Sequence, residues 1–363
     1  MRISRTAGNE GEPVRARYPP IYCRPVASGG DRHGTRLFPI STKFRGNCFL
    51  MASIIGRKPP CNRVKKPEGR RTAMAADDMT FDWRPLDNAA MEQHFNPRVA
   101  VPEAGDLLAG FIDRAAAARQ RQDMRRNIAY GPHPREVYDL FPGPVGGPLH
   151  IFIHGGYWRA LSKDEHSFLA APFVGAGATV VLINYPLCPE VTLDELADAV
   201  MRGIAHAARH ADDYGAETGA VHLSGHSAGA HLAALAATRD WTVDGLPADL
   251  IRSATLLSGI FDTRAVMRIG VRDEMALTAD QAERNNVLSP AMAPRAGIDL
   301  LVAAGGDEPE GWIGQSRDYA RIHGVQRPVM LVPGTNHFTL LDAMADRKAE
   351  LCRTMLSMMG LGG

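Results

Sequence analysis

The chain has 363 residues, with 41 Lys+Arg against 40 Asp+Glu and a formal net charge of +1. That balance, with 45% apolar residues, excludes a wholly polybasic nucleic-acid binder and an acidic disordered chain. It averages two unlike regions: residues 1–73 hold 16 basic and 4 acidic residues, a net of +12, and the remaining 25 basic and 36 acidic residues give 74–363 a net of −11.

Residues 1–78 read as a basic, Pro/Gly-rich extension. Its first 73 residues contain eight prolines and eight glycines and no sustained apolar period, a composition that cannot offset the entropy of ordering, so disorder is expected. Two other readings stay open. One is a start placed upstream of a natural one at Met74 or Met79; the other is an Arg-rich targeting or binding segment, although its prolines spoil an amphipathic presequence helix. Any nucleic-acid partner would rest on this segment, and none is expected for the rest. Residues 79–363 are long enough to bury the core of one large catalytic domain. No run approaches the roughly 20 apolar residues needed to cross a bilayer, so no membrane partner is expected. Cys23, Cys48 and Cys61 lie in the extension, leaving Cys188 and Cys352 in the domain with no CxxC pair. A disulfide framework is therefore not expected, and a reducing cytoplasm fits.

Along the domain, Leu107, Leu108, Phe111, Ile112 and Ala115 recur at helical spacing within 106–121. A short strand over 136–141 follows. Apolar strands over 149–153, 178–184, 220–223, 254–257, 300–304 and 329–332 then alternate with helices. One helix opens on Thr192 with Glu195 three residues on, a capping box, and buries Leu196, Val200 and Ile204. Another is Ala-rich from Ala228. This alternation predicts an α/β fold with a mostly parallel sheet covered on both faces. The 263–288 segment is long for a plain connection and predicts a small helical cap.

The sequence Gly225-His226-Ser227-Ala228-Gly229 sits between an apolar strand and a helix, the context a nucleophile elbow requires. Glycines suit a tight turn that leaves the Ser227 hydroxyl projecting from the sheet. Directly after the first parallel strand, Gly155 and Gly156 let backbone N–H groups approach a developing oxyanion, with the N–H of Ala228 completing the hole. A serine nucleophile needs a base and an orienting carboxylate. Asp307 follows the 300–304 strand and His337 follows the 329–332 strand, giving the order Ser, acid, His at successive strand ends. Glu308, one residue on, and Asp262, after the 254–257 strand, are the alternative acids. His323 falls at the end of a helix, away from this edge. His226 should diverge from Ser227 and serve as pocket wall. His206 and His210, four apart on a helix with no third ligand, read as exposed surface. No cluster has metal-ligand spacing and no Gly-rich loop carries a P-loop lysine, so neither metal nor cofactor is expected.

HGGYW (154–158), GHSAG (225–229), Asp307 and His337 together resemble the kynurenine formamidase (arylformamidase) branch of the α/β-hydrolases, allied to the hormone-sensitive-lipase-like esterases. Phe95-Asn96-Pro97-Arg98, Ser258-Gly259-Ile260-Phe261-Asp262 and Leu288-Ser289-Pro290 extend the likeness over about residues 80–360. The resemblance implies an α/β-hydrolase fold with Ser227 as nucleophile, His337 as base and Asp307 as its orienter. The oxyanion would be held by the amides of Gly155, Gly156 and Ala228. Where related lipases carry HGGG, this chain has HGGY, and Tyr157 and Trp158 are expected to narrow the acyl side of the pocket. The activity implied is hydrolysis of a small-molecule short-acyl ester or N-formyl aryl amide. A dedicated kynurenine formamidase and a non-catalytic small-molecule receptor are the alternatives, and a homodimer is compatible with either.

Overall fold

The computed structural model describes residues 80–121 and 123–362. The 1–78 extension therefore lies outside the described residues. Eight strands form one sheet: β1 (Arg125–Ala129), β2 (Val137–Phe141), β3 (Leu149–Ile153), β4 (Thr179–Ile183), β5 (Val221–His226), β6 (Ile251–Leu257), β7 (Asp299–Gly305) and β8 (Met330–Val332). Their spatial order is β1-β2-β4-β3-β5-β6-β7-β8. Strands β1 and β2 are antiparallel to their neighbours, and β3 to β8 run parallel. The reversal between β4 and β3 splays the connections to opposite faces of the sheet, so the functional edge lies at the C-terminal ends of the parallel strands.

The strands are apolar throughout because both faces are covered, and the period of two sorts their side chains between two cores. Ile151, Ile153, Val181 and Ile183 face one core, with the helices Leu193–Arg209 and Ala228–Thr238. Phe152, Val180 and Leu182 face the other, with Ala104–Ala118, Leu340–Ala345 and Glu350–Met358. Each fully buried aliphatic side chain contributes about 1.5–3 kcal/mol by leaving water.

The helix Leu193–Arg209 starts where the capping box predicts. Thr192 Oγ1 accepts from the Glu195 N–H at 3.2 Å while the Glu195 carboxylate accepts from the Thr192 N–H at 2.8 Å. Leu196, Val200 and Ile204 are all fully buried. Two expectations need correction. Ile112 is 54% exposed, because Ala104–Ala118 presents a narrower stripe centred on Phe111 and Ala115. His206 and His210 are half-buried: their rings stack at 4.2 Å, and His206 Nδ1 lies 2.9 Å from the Tyr138 hydroxyl.

A buried ion cluster fixes the elements in front of the sheet. Asp139 on β2 is fully buried, accepts from Lys163 Nζ at 3.0 Å, from Arg119 Nη1 at 2.5 Å and from the Asn127 N–H at 2.9 Å. Arg119 also reaches Asp164 at 2.6 Å. This ties the end of Ala104–Ala118 to the short helical segment Asp164–Leu169, and both elements contribute to the cleft described next. The 263–288 segment folds as three short helices, Thr263–Val266, Val271–Met275 and Ala279–Arg284, in keeping with the predicted cap. Among the described residues no helix is long and apolar enough to cross a membrane.

Candidate active site

Strand β5 runs straight into the helix Ala228–Thr238, with Ser227 as the single residue between them. Its backbone has φ 56° and ψ −118°, a conformation L-residues avoid, at a cost of order 1–3 kcal/mol. The flanking glycines are required by space. A Cβ on Gly225 would sit 2.1 Å from the Gly229 carbonyl oxygen, and one on Gly229 would sit 2.0 Å from that of Ile153. Ser227 is held from behind by its N–H, which donates to the Leu257 carbonyl at 2.8 Å. As the first helical residue, Ala228 keeps an N–H with no partner inside its own helix.

The loop after β3 packs against this turn. A Cβ on Gly155 would approach the Ser227 Cβ at 3.2 Å and the His226 carbonyl oxygen at 2.9 Å, so the backbone passes beside the serine. The loop is shaped by His154, fully buried, whose Nδ1–H donates to the Gly155 carbonyl at 2.7 Å. Burial, reinforced by nearby His166, holds its ring well below the usual histidine range and therefore neutral. Tyr185 stacks on that ring at 4.2 Å and donates to the His154 carbonyl at 2.7 Å. Gly156 has φ 111° and opens a turn closed by the Arg159 and Ala160 N–H groups on its carbonyl.

Ser227 and His337 line one cleft, which encloses about 610 Å³ with its mouth included. Among the described residues no hydrogen bond joins them. Beneath His337, at 3.5 Å from Nδ1, is Oε2 of Glu308. The other Glu308 oxygen accepts from the Gly305 N–H at 3.0 Å and from the Ser258 hydroxyl. Trp312 covers His337 at 4.3 Å between ring centroids.

The carboxylate facing His337 is thus Glu308, and the placement of Asp307 there is corrected. The cause is the turn after β7. The Glu308 N–H bonds back to the Gly305 carbonyl, and the Asp307 N–H to the Thr335 carbonyl, so residue 307 projects into solvent while 308 returns to the buried face. Asp262 is also excluded. Fully buried, it caps Thr263–Val266, pairs with Arg264 at 2.8 Å and accepts from Trp83 Nε1 at 3.1 Å.

The expected pocket residues divide. His226 lines the cleft; its Nε2–H donates to the His337 carbonyl at 2.8 Å, and burial with the neighbouring His337 keeps it neutral. Tyr157 also lines the cleft, its hydroxyl donating to the Phe95 carbonyl. Trp158 does not. It is fully buried, edge-on to His231 at 5.0 Å, because its φ of 55° turns the side chain into the core. His323 ends the helix Glu310–Ile322 and bonds the Val287 carbonyl at 2.7 Å, away from the cleft.

Sequence reasoning missed the cleft's outer wall. Leu108 and Phe111 come from Ala104–Ala118, Arg98 from the Asn96-Pro97-Arg98 segment, and Arg159, His166 and Val271 from later loops and the cap. The Asn96-Pro97-Arg98 run was a signal, since it is a conspicuous polar stretch with no role in the sheet. Ser258, directly after β6, was missed as well: its hydroxyl donates to the Glu308 carboxylate.

Fold and site together define an α/β-hydrolase with a serine at its nucleophile elbow. Residues 150–309 match the family described as alpha/beta hydrolase fold. The chain is 31% identical over 296 residues to a kynurenine formamidase of Danio rerio, covering 77% of this chain and 99% of the relative. It is 30% identical to one of Salmo salar, with 77% and 98% covered. Among solved structures, a Silicibacter protein provisionally named a thioesterase aligns with TM-score 0.63 and 28% identity, over 74% of this chain and 97% of its own. The chain belongs to the kynurenine formamidase family of α/β-hydrolases, and it is a hydrolase.

Proposed function

We propose that this hydrolase cleaves short-acyl carboxylic esters and N-formyl aryl amides through an acyl-enzyme on Ser227, with His337 as proton carrier and Glu308 as its positioning carboxylate. The observation that carries the reading is the clamp on Glu308: one oxygen is fixed by Ser258 and Gly305, which leaves the other to receive His337 Nδ1–H. That bond selects the tautomer whose Nε2 is free to accept a proton.

In the first half-reaction Ser227 Oγ attacks the substrate carbonyl carbon as its proton passes to His337 Nε2. The tetrahedral oxyanion is stabilised by backbone N–H groups of the Gly155–Gly156 loop and of Ala228. Collapse breaks the bond to the leaving group, which takes the proton from His337 and departs as alcohol or arylamine. Water then attacks the acyl-serine with His337 again accepting its proton, and the carboxylic acid and free Ser227 are released. An arylamine leaves more readily than an alkylamine, and a formyl group is small, so one site can serve both substrate classes.

The aryl formamide half of the reading is supported by the two fish relatives, which carry the name kynurenine formamidase and are matched over nearly their whole length. A reducing cytoplasmic setting is supported by cysteine usage: Cys188 and Cys352 are free and buried, and burial pushes both thiols up to about 11. Comparing kcat/KM on N-formylkynurenine and p-nitrophenyl acetate tests the substrate assignment. Turnover of both is expected; turnover of the ester with none of the formamide would overturn the formamidase half.

A further inference from the structure

Among the described residues, three histidines line the Ser227 cleft. His337 faces Glu308, and His226 is bonded to the His337 carbonyl, which leaves His166 without a task. His166 stands in the short helical segment Asp164–Leu169 and is 1% exposed. Its Nδ1 lies 2.8 Å from the Ser162 carbonyl, and because a carbonyl only accepts, Nδ1 carries the hydrogen. Burial holds the ring below the usual histidine range and therefore neutral. A neutral imidazole protonated at Nδ1 presents a lone pair at Nε2. That Nε2 has no hydrogen-bond partner among the described residues, and unlike Nε2 of His154 it is not sealed inside the protein, so it opens to the cleft.

The ring is held in place by its neighbours. Phe152 and Phe111 pack against it at 5.7 and 6.4 Å between centroids, and His154 lies parallel to it at 5.8 Å. Since His154 shapes the oxyanion loop, His166 is positioned beside the reacting groups rather than at the mouth of the cleft. The other polar side chains of the wall offer a ligand no comparable acceptor. Asn96 Oδ1 accepts from the Arg98 N–H at 3.2 Å, the Tyr157 hydroxyl is engaged with the Phe95 carbonyl, and guanidinium groups only donate. His226 Nδ1 lies behind the oxyanion loop, 3.2 Å from where a Cβ on Gly155 would stand.

An aryl ester and an aryl formamide differ at the atom that leaves: the ester presents an oxygen with lone pairs only, the formamide an N–H. Enclosed in a cleft, an N–H without an acceptor forfeits the hydrogen bond it made to water, whereas an ester oxygen set against a second lone pair gains nothing. We infer that His166 Nε2 accepts the amide N–H of the substrate and so sets the preference for aryl formamides over aryl esters. The inference deepens the hydrolase reading above and rests on it. His166 acts as a specificity determinant: it neither gives nor takes a proton, and the arylamine still receives its proton from His337.

Formanilide and phenyl formate share acyl group and ring and differ in N–H against O. The ratio of their kcat/KM values, corrected for spontaneous hydrolysis, cancels a general effect of a substitution on the chemistry. His166→Asn keeps a side-chain N–H for the Ser162 carbonyl but has no acceptor at the Nε2 position, and it should lower the formanilide-to-ester ratio about tenfold. His166→Gln, whose amide oxygen reaches about as far as Nε2, should keep the ratio within about threefold of the unaltered protein. A ratio that moves less than about twofold in His166→Asn would overturn the inference. Calorimetry of acetanilide and phenyl acetate with the full-length Ser227→Ala protein reads the same contact without turnover. Acetanilide should bind at least about tenfold more tightly, and the preference should vanish when His166→Asn is added. Equal binding of the two would contradict the inference even if the hydrolase reading stands. An acetanilide preference that vanishes with His166, in a protein that hydrolyses neither substrate class, would sustain the contact while the hydrolase reading fell.

Discussion

Replacing Glu308 by Gln separates the observed carboxylate from the one its neighbour suggests. With His337 Nδ1 at 3.5 Å from Glu308 Oε2, and an effective dielectric of about 20, the imidazolium formed during attack is stabilised by about 4.7 kcal/mol. Losing it corresponds to a fall in kcat of roughly 3,000-fold, since each 1.36 kcal/mol is tenfold. A triad carboxylate replaced by its amide elsewhere loses about 10⁴-fold, so the figure is of the right size. Gln can keep the carbonyl oxygen that accepts from Ser258 and Gly305, so the fold should lose no more than about 1–2 kcal/mol. Asp307→Asn, at an exposed position, should change kcat by less than about twofold. Initial rates on p-nitrophenyl acetate, with urea unfolding of each variant, provide the measurement. If Asp307→Asn were the damaging change, or Glu308→Gln retained a tenth of the rate, the assignment of the turn after β7 would be wrong.

Gly229→Ala places a Cβ about where the Ile153 carbonyl oxygen sits, and it should lower stability by about 3 kcal/mol or prevent folding, as read by urea unfolding and expression. His231 is fully buried, and burial lowers its pKa to about 4 against an ordinary 6.5. Because the unfolded chain takes up a proton that the folded chain refuses, stability is complete above about pH 6.5 and is lost as pH falls toward 4. In His231→Gln, the stability difference between pH 6.5 and pH 5 should therefore shrink by about 2 kcal/mol, and an unchanged difference would refute the assignment. Tyr157, anchored to Phe95, should restrict the acyl side of the cleft, so acetate esters should be cleaved faster than decanoate esters and Tyr157→Ala should narrow the gap. Faster hydrolysis of decanoate by the unaltered protein would count against that role.

Much of the scaffold was legible because its signals are local. Unbroken apolar runs such as Thr179–Ile183, with glycines where backbone meets backbone at Gly225 and Gly229, constrain the chain whatever lies elsewhere. The strand Arg125–Ala129 was missed because it is a polar edge strand, paired on one side and largely exposed. At the candidate site, the meeting of Ser227 and His337 in one cleft was expected from strand order. Asp307 did not hold its expected place because two backbone hydrogen bonds, to Gly305 and Thr335, decide which of two adjacent acids points inward, and strand order carries no record of them. Trp158 went astray for a similar reason: three successive positive φ values, from Gly156 to Trp158, reverse the direction its side chain takes. The basic extension, with a net charge of +12 over its first 73 residues, belongs to a different part of the chain from the chemistry.

The central claim is that Ser227 carries the acyl group. The direct measurement is active-site labelling of the full chain with a small phosphonate ester, followed by peptide mass analysis, alongside the pre-steady-state release of p-nitrophenol from its acetate. One label per chain on the peptide bearing Ser227, a burst of matching amplitude, and loss of both in Ser227→Ala are the predicted results. A label on another residue, or steady hydrolysis undiminished in Ser227→Ala, would contradict the account.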